Sequence, residues 1–289
     1  MRLCTLRVIF AVHCLLAASC CPGQPNSAAE RKGATMTVDQ VVESVNRLAW
    51  PQLTRPGAVP PAAGPALLAL LNKPDPQVRE LAVFCLDAAG GPSASKGLLA
   101  ALRDPVETVN AAASRALANH YTSDEIPAIR KEMSEHPNEV VRENLALLLG
   151  KTGSQDNIQF LLVRRSVEKD AQARHAATLA LARLGEAGGR QEIAQSLVTD
   201  DPKTRVDTLR DLPYVNDRGM LAYALPLLDD ERPGLNVGPS HGPYYIRVCD
   251  VAVNVIDEML NHPFNFPIGL RRYTPTEIAQ AKSVFGQVR

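Results

Sequence analysis

The chain has 289 residues, with 31 Lys+Arg against 31 Asp+Glu and a formal net charge of zero. A nucleic-acid binder of this size needs a basic surplus to neutralise phosphates, so the balance argues against DNA and RNA as partners. Apolar residues make up 45% of the chain but aromatic ones only 4%, which describes an aliphatic core suited to closely packed helices rather than a sheet.

In chain order, Arg2 and Arg7 flank the start of an apolar run over 8–18 that is too short to span a bilayer and ends in Ala17-Ala18-Ser19-Cys20. That pattern predicts an export signal over residues 1–19. The stretch Leu16 to Cys20 resembles a bacterial lipobox, with Ala17 where leucine is commoner, and so predicts Cys20 as a lipidated mature N-terminus. Cleavage to a soluble secreted protein is the alternative. Cys21 stands where an aspartate commonly retains lipoproteins at the inner membrane, so the expected location is the periplasmic face of the outer membrane. Without Arg2 and Arg7 the mature chain keeps 29 Lys+Arg against 31 Asp+Glu. Small and polar residues over 20–36 read as a flexible tether.

Residues 37–63 read as an N-terminal capping helix and a proline-rich connection. Thr37 to Gln40 forms a capping-box pattern ahead of an apolar stripe at Val38, Val41, Val42, Val45 and Leu48, and Pro51, Pro56, Pro60 and Pro61 follow.

From 64 to 260 a register recurs every 31 or 32 residues: Val78-Arg79, Val109-Asn110, Val141-Arg142, Ala173-Arg174 and Thr204-Arg205. Such a period means stacked copies of one supersecondary unit. Four residues before each second member stand Asp75, Val106, Asn138, Asp170 and Asp201, and prolines follow the first and last of these, the signature of a helix start. Apolar residues at helical spacing follow each start, a shorter apolar segment precedes it, and Gly90, Gly153 and Gly185 stand where helices end. Each unit is therefore a helix, a turn and a helix. The arginine column admits two readings, an anion-binding stripe or a structural ladder; the ladder is favoured because acids recur in step with it, as Asp75–Arg79, Asn138–Arg142, Asp170–Arg174 and Asp201–Arg205.

The register breaks at Asp229 to Pro243, which holds three prolines and three glycines and reads as an exposed loop. Asn236, Ser240, His241, Tyr244, Tyr245 and Arg247 cluster on and after it and form the candidate partner-binding set. The competing reading is a surface loop whose tyrosines pack on the last helices. An amphipathic helix follows from Val248 to Met259, and Thr274-Pro275-Thr276-Glu277 opens a last helix within a capping segment over 261–289.

The segments "DPQVRELAVFCL", "HPNEVVRENLALLLGKTG", "DAQARHAATLALARLG" and "DPKTRVDTLRDL" resemble the HEAT-repeat family, in the short variety first described in phycobilisome lyases, clearly over 64–215 and on to 260. The resemblance implies an all-α, right-handed α-solenoid of stacked antiparallel helix pairs, about five to six repeats with capping helices. It implies the fold and not an activity, because solenoids host many functions.

No catalytic, cofactor or metal site is expected. His120, His136, His175, His241 and His262 stand at no recognised ligand spacing, and the absence of a His-Glu dipeptide counts against similarity to the HEAT-repeat iron hydroxylases. Cys85 falls in an apolar column and reads as a buried hydrophobe; Cys249, several units away, is expected to be far beyond disulfide reach of it. The Gly-Gly pairs at 90–91 and 188–189 are both expected to end helices. Two functions remain: a non-enzymatic protein-interaction scaffold of the bacterial envelope, acting as an assembly factor or immunity-type inhibitor, or, by the family resemblance, a bilin-lyase-like enzyme or chaperone.

Overall fold

A computed structural model describes residues 35–236 and 245–287; the expected signal and Cys20, nearly all of the tether, and Ser240, His241 and Tyr244 lie outside the described residues. Two short helices come first, α1 (Val38–Asn46) and α2 (Trp50–Leu53). Thr37 and Gln40 close the expected capping box on α1.

Six helix pairs follow. They are α3 (Gly64–Leu70) with α4 (Pro76–Ala89), α5 (Gly91–Ala101) with α6 (Glu107–Leu117), and α7 (Ile126–Glu135) with α8 (Glu139–Lys151). Next come α9 (Asn157–Val167) with α10 (Ala171–Arg183), α11 (Ala187–Val198) with α12 (Pro202–Val215), and α13 (Leu221–Ala224) with α14 (Val248–Met259). A final helix, α15, spans Pro275–Gln287 and is opened by the expected Thr274–Glu277 box. The described residues form an all-α solenoid of stacked antiparallel helix pairs.

The capping column explains where the second helices start. Asp75, Asn138, Asp170 and Asp201 each accept a hydrogen bond from a first-turn N–H of α4, α8, α10 and α12, whereas Val106 offers α6 no side-chain cap. Gly90, Gly153 and Gly185 turn the chain at φ of 65°, 69° and 86°, and Asn216 does so after α12 at 54°. One glycine expectation is corrected. Gly188 and Gly189 open α11 rather than end a helix, because their N–H groups are taken by the cap Glu186.

The second helices lie directly against one another along the whole stack, α4 on α6, α6 on α8, α8 on α10, α10 on α12 and α12 on α14, while in the first-helix layer only α3–α5 and α11–α13 meet comparably. The stack therefore bends toward the second helices, whose free face is the inner, concave one. Small residues permit the closest approach, between α8 and α10, where a side chain at Gly150 would strike Ala180 Cα at 2.7 Å. The core divides at α10: Ala176, Ala177, Ala180 and Leu181 join the aliphatic cluster running back to α1, and Leu179 and Ala182 join the one running on to α15.

The expectation of an exposed loop over 229–243 is corrected for its described part. Pro233–Asn236 forms β1 and pairs antiparallel with β2 (Tyr245–Arg247). This hairpin lies on α12, where a Cβ on Gly234 would come within 2.4 Å of Val206 Cγ2. The prolines and glycines that signalled a loop hid a strand because β1 carries both a proline at its first residue and a glycine at its bulge.

Candidate functional site

Three arginines of the column are consumed inside the fold, and Arg174 is exposed. Arg79 donates from Nε and Nη2 to the two oxygens of Asp104 at 2.6 and 2.9 Å, and from Nη1 to the carbonyls of Lys73 and Pro74. Arg142 repeats this on Glu168, at 2.8 and 2.9 Å, and on the carbonyls of His136 and Pro137. Arg205 binds Asp230 at 2.6 Å and the Thr199 carbonyl. Arg174, lacking an acid, reaches only the Glu168 carbonyl.

The partners are thus not the capping acids. Each guanidinium clamps the turn of its own unit and a carboxylate 25 or 26 residues further on, in the turn of the next unit. The clamp is present from unit one to two, three to four and five to six. Between units two and three Asn110 replaces arginine, bonding the Asp104 carbonyl and accepting from Asn138. The two skipped junctions are tied instead on the outer layer, by Arg103 with Glu132 and Arg165 with Glu192. The Arg79 and Arg142 pairs are bidentate, and such pairing is short and directional.

The clamps shift the carboxyls. Hydrogen bonds from Arg142 foremost, then from the N–H groups of Asp170 and Lys169, bring Glu168 down to about 2 despite its burial. Arg232 and then Arg205 bring Asp230 to about 2 in the same way. A carboxyl held below its unfolded value stabilises the fold fully above that value, near 4.5 for Glu168, and loses the contribution as pH falls through about 2. Melting temperature is therefore expected to fall steeply between about pH 4.5 and pH 2, and Glu168→Gln to flatten part of that fall; an acid limb identical in the variant would show that the clamp does not set acid stability.

Of the candidate binding residues, Arg247 is inside the fold. It caps α14 with Asp250, donating to its two oxygens at 2.8 and 3.0 Å, and donates to the Tyr273 carbonyl. Tyr245 is half-buried, its carbonyl accepting from Arg272, and Asn236 is exposed at the end of β1. Hairpin and C-terminal segment are thereby joined at the closing end of the stack, over the buried Asp250 and Asp257 and the half-buried Asn254 of α14; Asn254 Oδ1 accepts from the Tyr273 hydroxyl and Asp257 pairs with His262 at 2.6 Å.

The inner face carries residues that sequence reasoning passed over. Trp50, 38% exposed, leans on Phe84 of α4 with ring centroids 5.7 Å apart. Beside this pair, Glu80 accepts from Thr108 at 3.2 Å and Asp87 pairs with His120 at 2.8 Å. Further along, His175 of α10 pairs with Asp211 of α12 at 2.8 Å; that bond, with Glu192 and Glu143 nearby, raises its pKa. Tyr214 of α12 lays its ring beneath the Arg183 guanidinium, 5.2 Å away, and donates at 2.7 Å to the Leu147 carbonyl two units back. A lone tryptophan followed by a phenylalanine in a helix column otherwise filled by Arg115, Leu147, Leu179 and Arg210 was the available signal for the aromatic pair.

Chemical reactivity is low at both buried thiols. Burial pushes Cys85 up to about 12, and burial, then Asp250, pushes Cys249 up to about 11, so each stays protonated. Among the described residues no three His, Cys, Asp or Glu side chains gather as a metal site, and no helix is long and apolar enough to cross a membrane.

A family match and one solved structure agree with the geometry. A family model described as HEAT repeats matches residues 64–131 and 95–182. A chain from the complex of CpcE and CpcF of phycocyanin lyase from Nostoc sp. PCC7120 superposes with a TM-score of 0.55 at 18% identity, over 93% of this chain and 100% of that one. Human deoxyhypusine hydroxylase in complex with glycerol gives 0.39 at 12% identity, over 78% and 96%. An engineered protein gives 0.40 at 16% identity, over 88% and 70%. No curated protein matches the sequence.

Proposed function

We propose that this HEAT-repeat solenoid is a non-enzymatic scaffold that binds a protein partner on its inner face, held at the bacterial envelope through Cys20. The observation that carries the reading is the division of labour among its polar side chains. Arg79, Arg142 and Arg205 of the column are locked into clamps between units, while the exposed Trp50 with the half-buried Phe84 and the unpaired Arg115 stand on the open second-helix face. Aromatic and arginine side chains are what anchor protein interfaces. The hairpin closes one end of that face, and of the candidate residues Asn236 and Tyr245 stand on it.

Two roles fit such a scaffold, assembly of another envelope protein or its inhibition in the manner of an immunity protein. A bilin-lyase-like activity is the alternative; the likeness to the phycocyanin lyase chain, at 18% identity, speaks for the fold.

One experiment separates the readings. The intact protein, recovered from detergent-solubilised envelopes, is expected to carry an acyl group on Cys20 and a stoichiometric protein partner that is lost in the Trp50→Ala, Phe84→Ala variant. Coloured or small-molecule material in place of a protein would favour the lyase-like alternative, and an unmodified residue at position 20 would remove the anchor.

A further inference from the structure

Beside the first unit, α1 and α2 enclose a pocket of about 380 Å³, within the size range of small-ligand sites. Leu48 turns the chain between the two helices at φ of 54°, so that α2 folds back on α1. Met36, also on the wall, is tied to the turn after α2 by its N–H, which donates to the Ala58 carbonyl at 2.9 Å. The rest of the wall is mostly polar, with Gln40, Glu43, Ser44 and Arg47 at α1 and Gln52 and Arg55 at α2.

The open polar atoms on that wall are nearly all donors. The Thr37 N–H, which can only donate, holds the Gln40 side-chain oxygen at 2.9 Å, so the open end of that amide is its NH2 group. Gln52 is fixed in the same sense: its oxygen accepts from the hydroxyl of the buried Ser44 at 3.1 Å, and its NH2 remains. Arg55 spends Nε on the Gln52 carbonyl at 3.3 Å and faces no carboxylate among the described residues, which leaves both terminal nitrogens open. Glu43, the one acid on the wall, is paired with Arg47 at 2.7 Å. Two guanidiniums against one carboxylate give the pocket a surplus of one positive charge.

A ligand that matches such a wall carries one negative charge and several acceptor oxygens. A carboxylate has the charge, but only two oxygens in one plane. A phosphodiester carries the same charge with its oxygens disposed tetrahedrally, so donors from separate helices can reach it together, and guanidinium forks suit it. The pocket is also larger than a bare ion, which leaves room for the ester groups.

We infer that the pocket between α1 and α2 binds a phosphodiester, held by the Arg55 guanidinium and the Gln40 and Gln52 amides, with Arg47 beside it. Two sources share that chemistry, a phospholipid headgroup and a soluble glycerophosphodiester.

Isothermal titration of the purified full chain at low salt with glycerophosphoglycerol, a phosphodiester without acyl chains, tests it. Saturable binding with a Kd of about 1 mM or below is expected, weakened about tenfold or more in Arg55→Ala. Gln40→Glu is the sharper variant. A glutamate at this third position of α1 keeps the oxygen that accepts from Thr37, so the capping box and the melting temperature are retained, but it exchanges the NH2 for an anion and is expected to abolish binding. Vesicles of phosphatidylglycerol, sedimented with a Cys20→Ser chain so that no acyl group carries the protein, separate the two sources. Co-sedimentation that Arg55→Ala removes assigns a lipid headgroup, and its absence assigns the soluble ligand. No saturable heat, acetate bound as tightly as the phosphodiester, or full binding by Gln40→Glu would overturn the proposal. None of these outcomes depends on the inner-face partner.

Discussion

Arg142→Ala is expected to lower the stability of the protein by about 3 kcal/mol, whereas Arg174→Ala, one unit further on in the same column, is expected to cost about 1 kcal/mol or less. Both arginines follow a helix start by four residues and look equivalent in the chain. Arg142 is bonded to both oxygens of Glu168, whose side chain is only 6% exposed, and to two carbonyls. Its removal leaves a buried carboxylate without its counter-charge, which is what makes breaking such a pair expensive. Arg174 gives up one carbonyl bond of 3.0 Å. In thermal melts the first variant should therefore fall well below the second, by several degrees. Equal losses would mean that the column acts through charge alone and that the clamps are incidental.

Gly150→Ala is expected to destabilise, against the ordinary preference of a helix interior, where the same exchange gains up to about 1 kcal/mol. Gly150 lies in the last turn of α8. A Cβ there would stand 2.2 Å from the Tyr214 hydroxyl, 2.7 Å from Ala180 Cα and 2.9 Å from Ala180 Cβ. The tyrosine tip can move, but the backbone of α10 cannot do so without parting the helices. Overpacking of this kind costs about 1–3 kcal/mol, with the Tyr214 to Leu147 bond lost besides. A lower urea midpoint with an unchanged slope is the expected readout. A midpoint equal to or above the wild type would show that α8 and α10 are not in closest contact at this glycine.

What could be read from the sequence followed its range in the chain. The helix starts at Asp75, Asn138, Asp170 and Asp201 were legible because a cap is a bond between residues two or three apart. So were the turns at Gly90, Gly153 and Gly185, where backbone handedness is a property of one residue. The arginines were recognised as structural, but their acids lie 25 or 26 residues away. The capping acids, nearer and in step, drew attention from Asp104 and Glu168, which stand two residues before the cap in alternate units only. Tyr214 and Leu147, 67 residues apart, leave no local trace at all. The hairpin was missed for the opposite reason: Pro233 and Gly234 gave a strong local signal for a loop, and packing on Val206 prevailed over it.

A stack of repeats is ordinarily a one-dimensional chain in which each unit senses only its neighbours, so that loss of one end propagates inward a unit at a time. The reach of Tyr214 across α10 to the Leu147 carbonyl breaks that arithmetic. It links unit five to unit three directly, and unit four, held between them, is expected to melt together with both. Fraying from either end should therefore halt at the same block, residues 126–215, which opens as one.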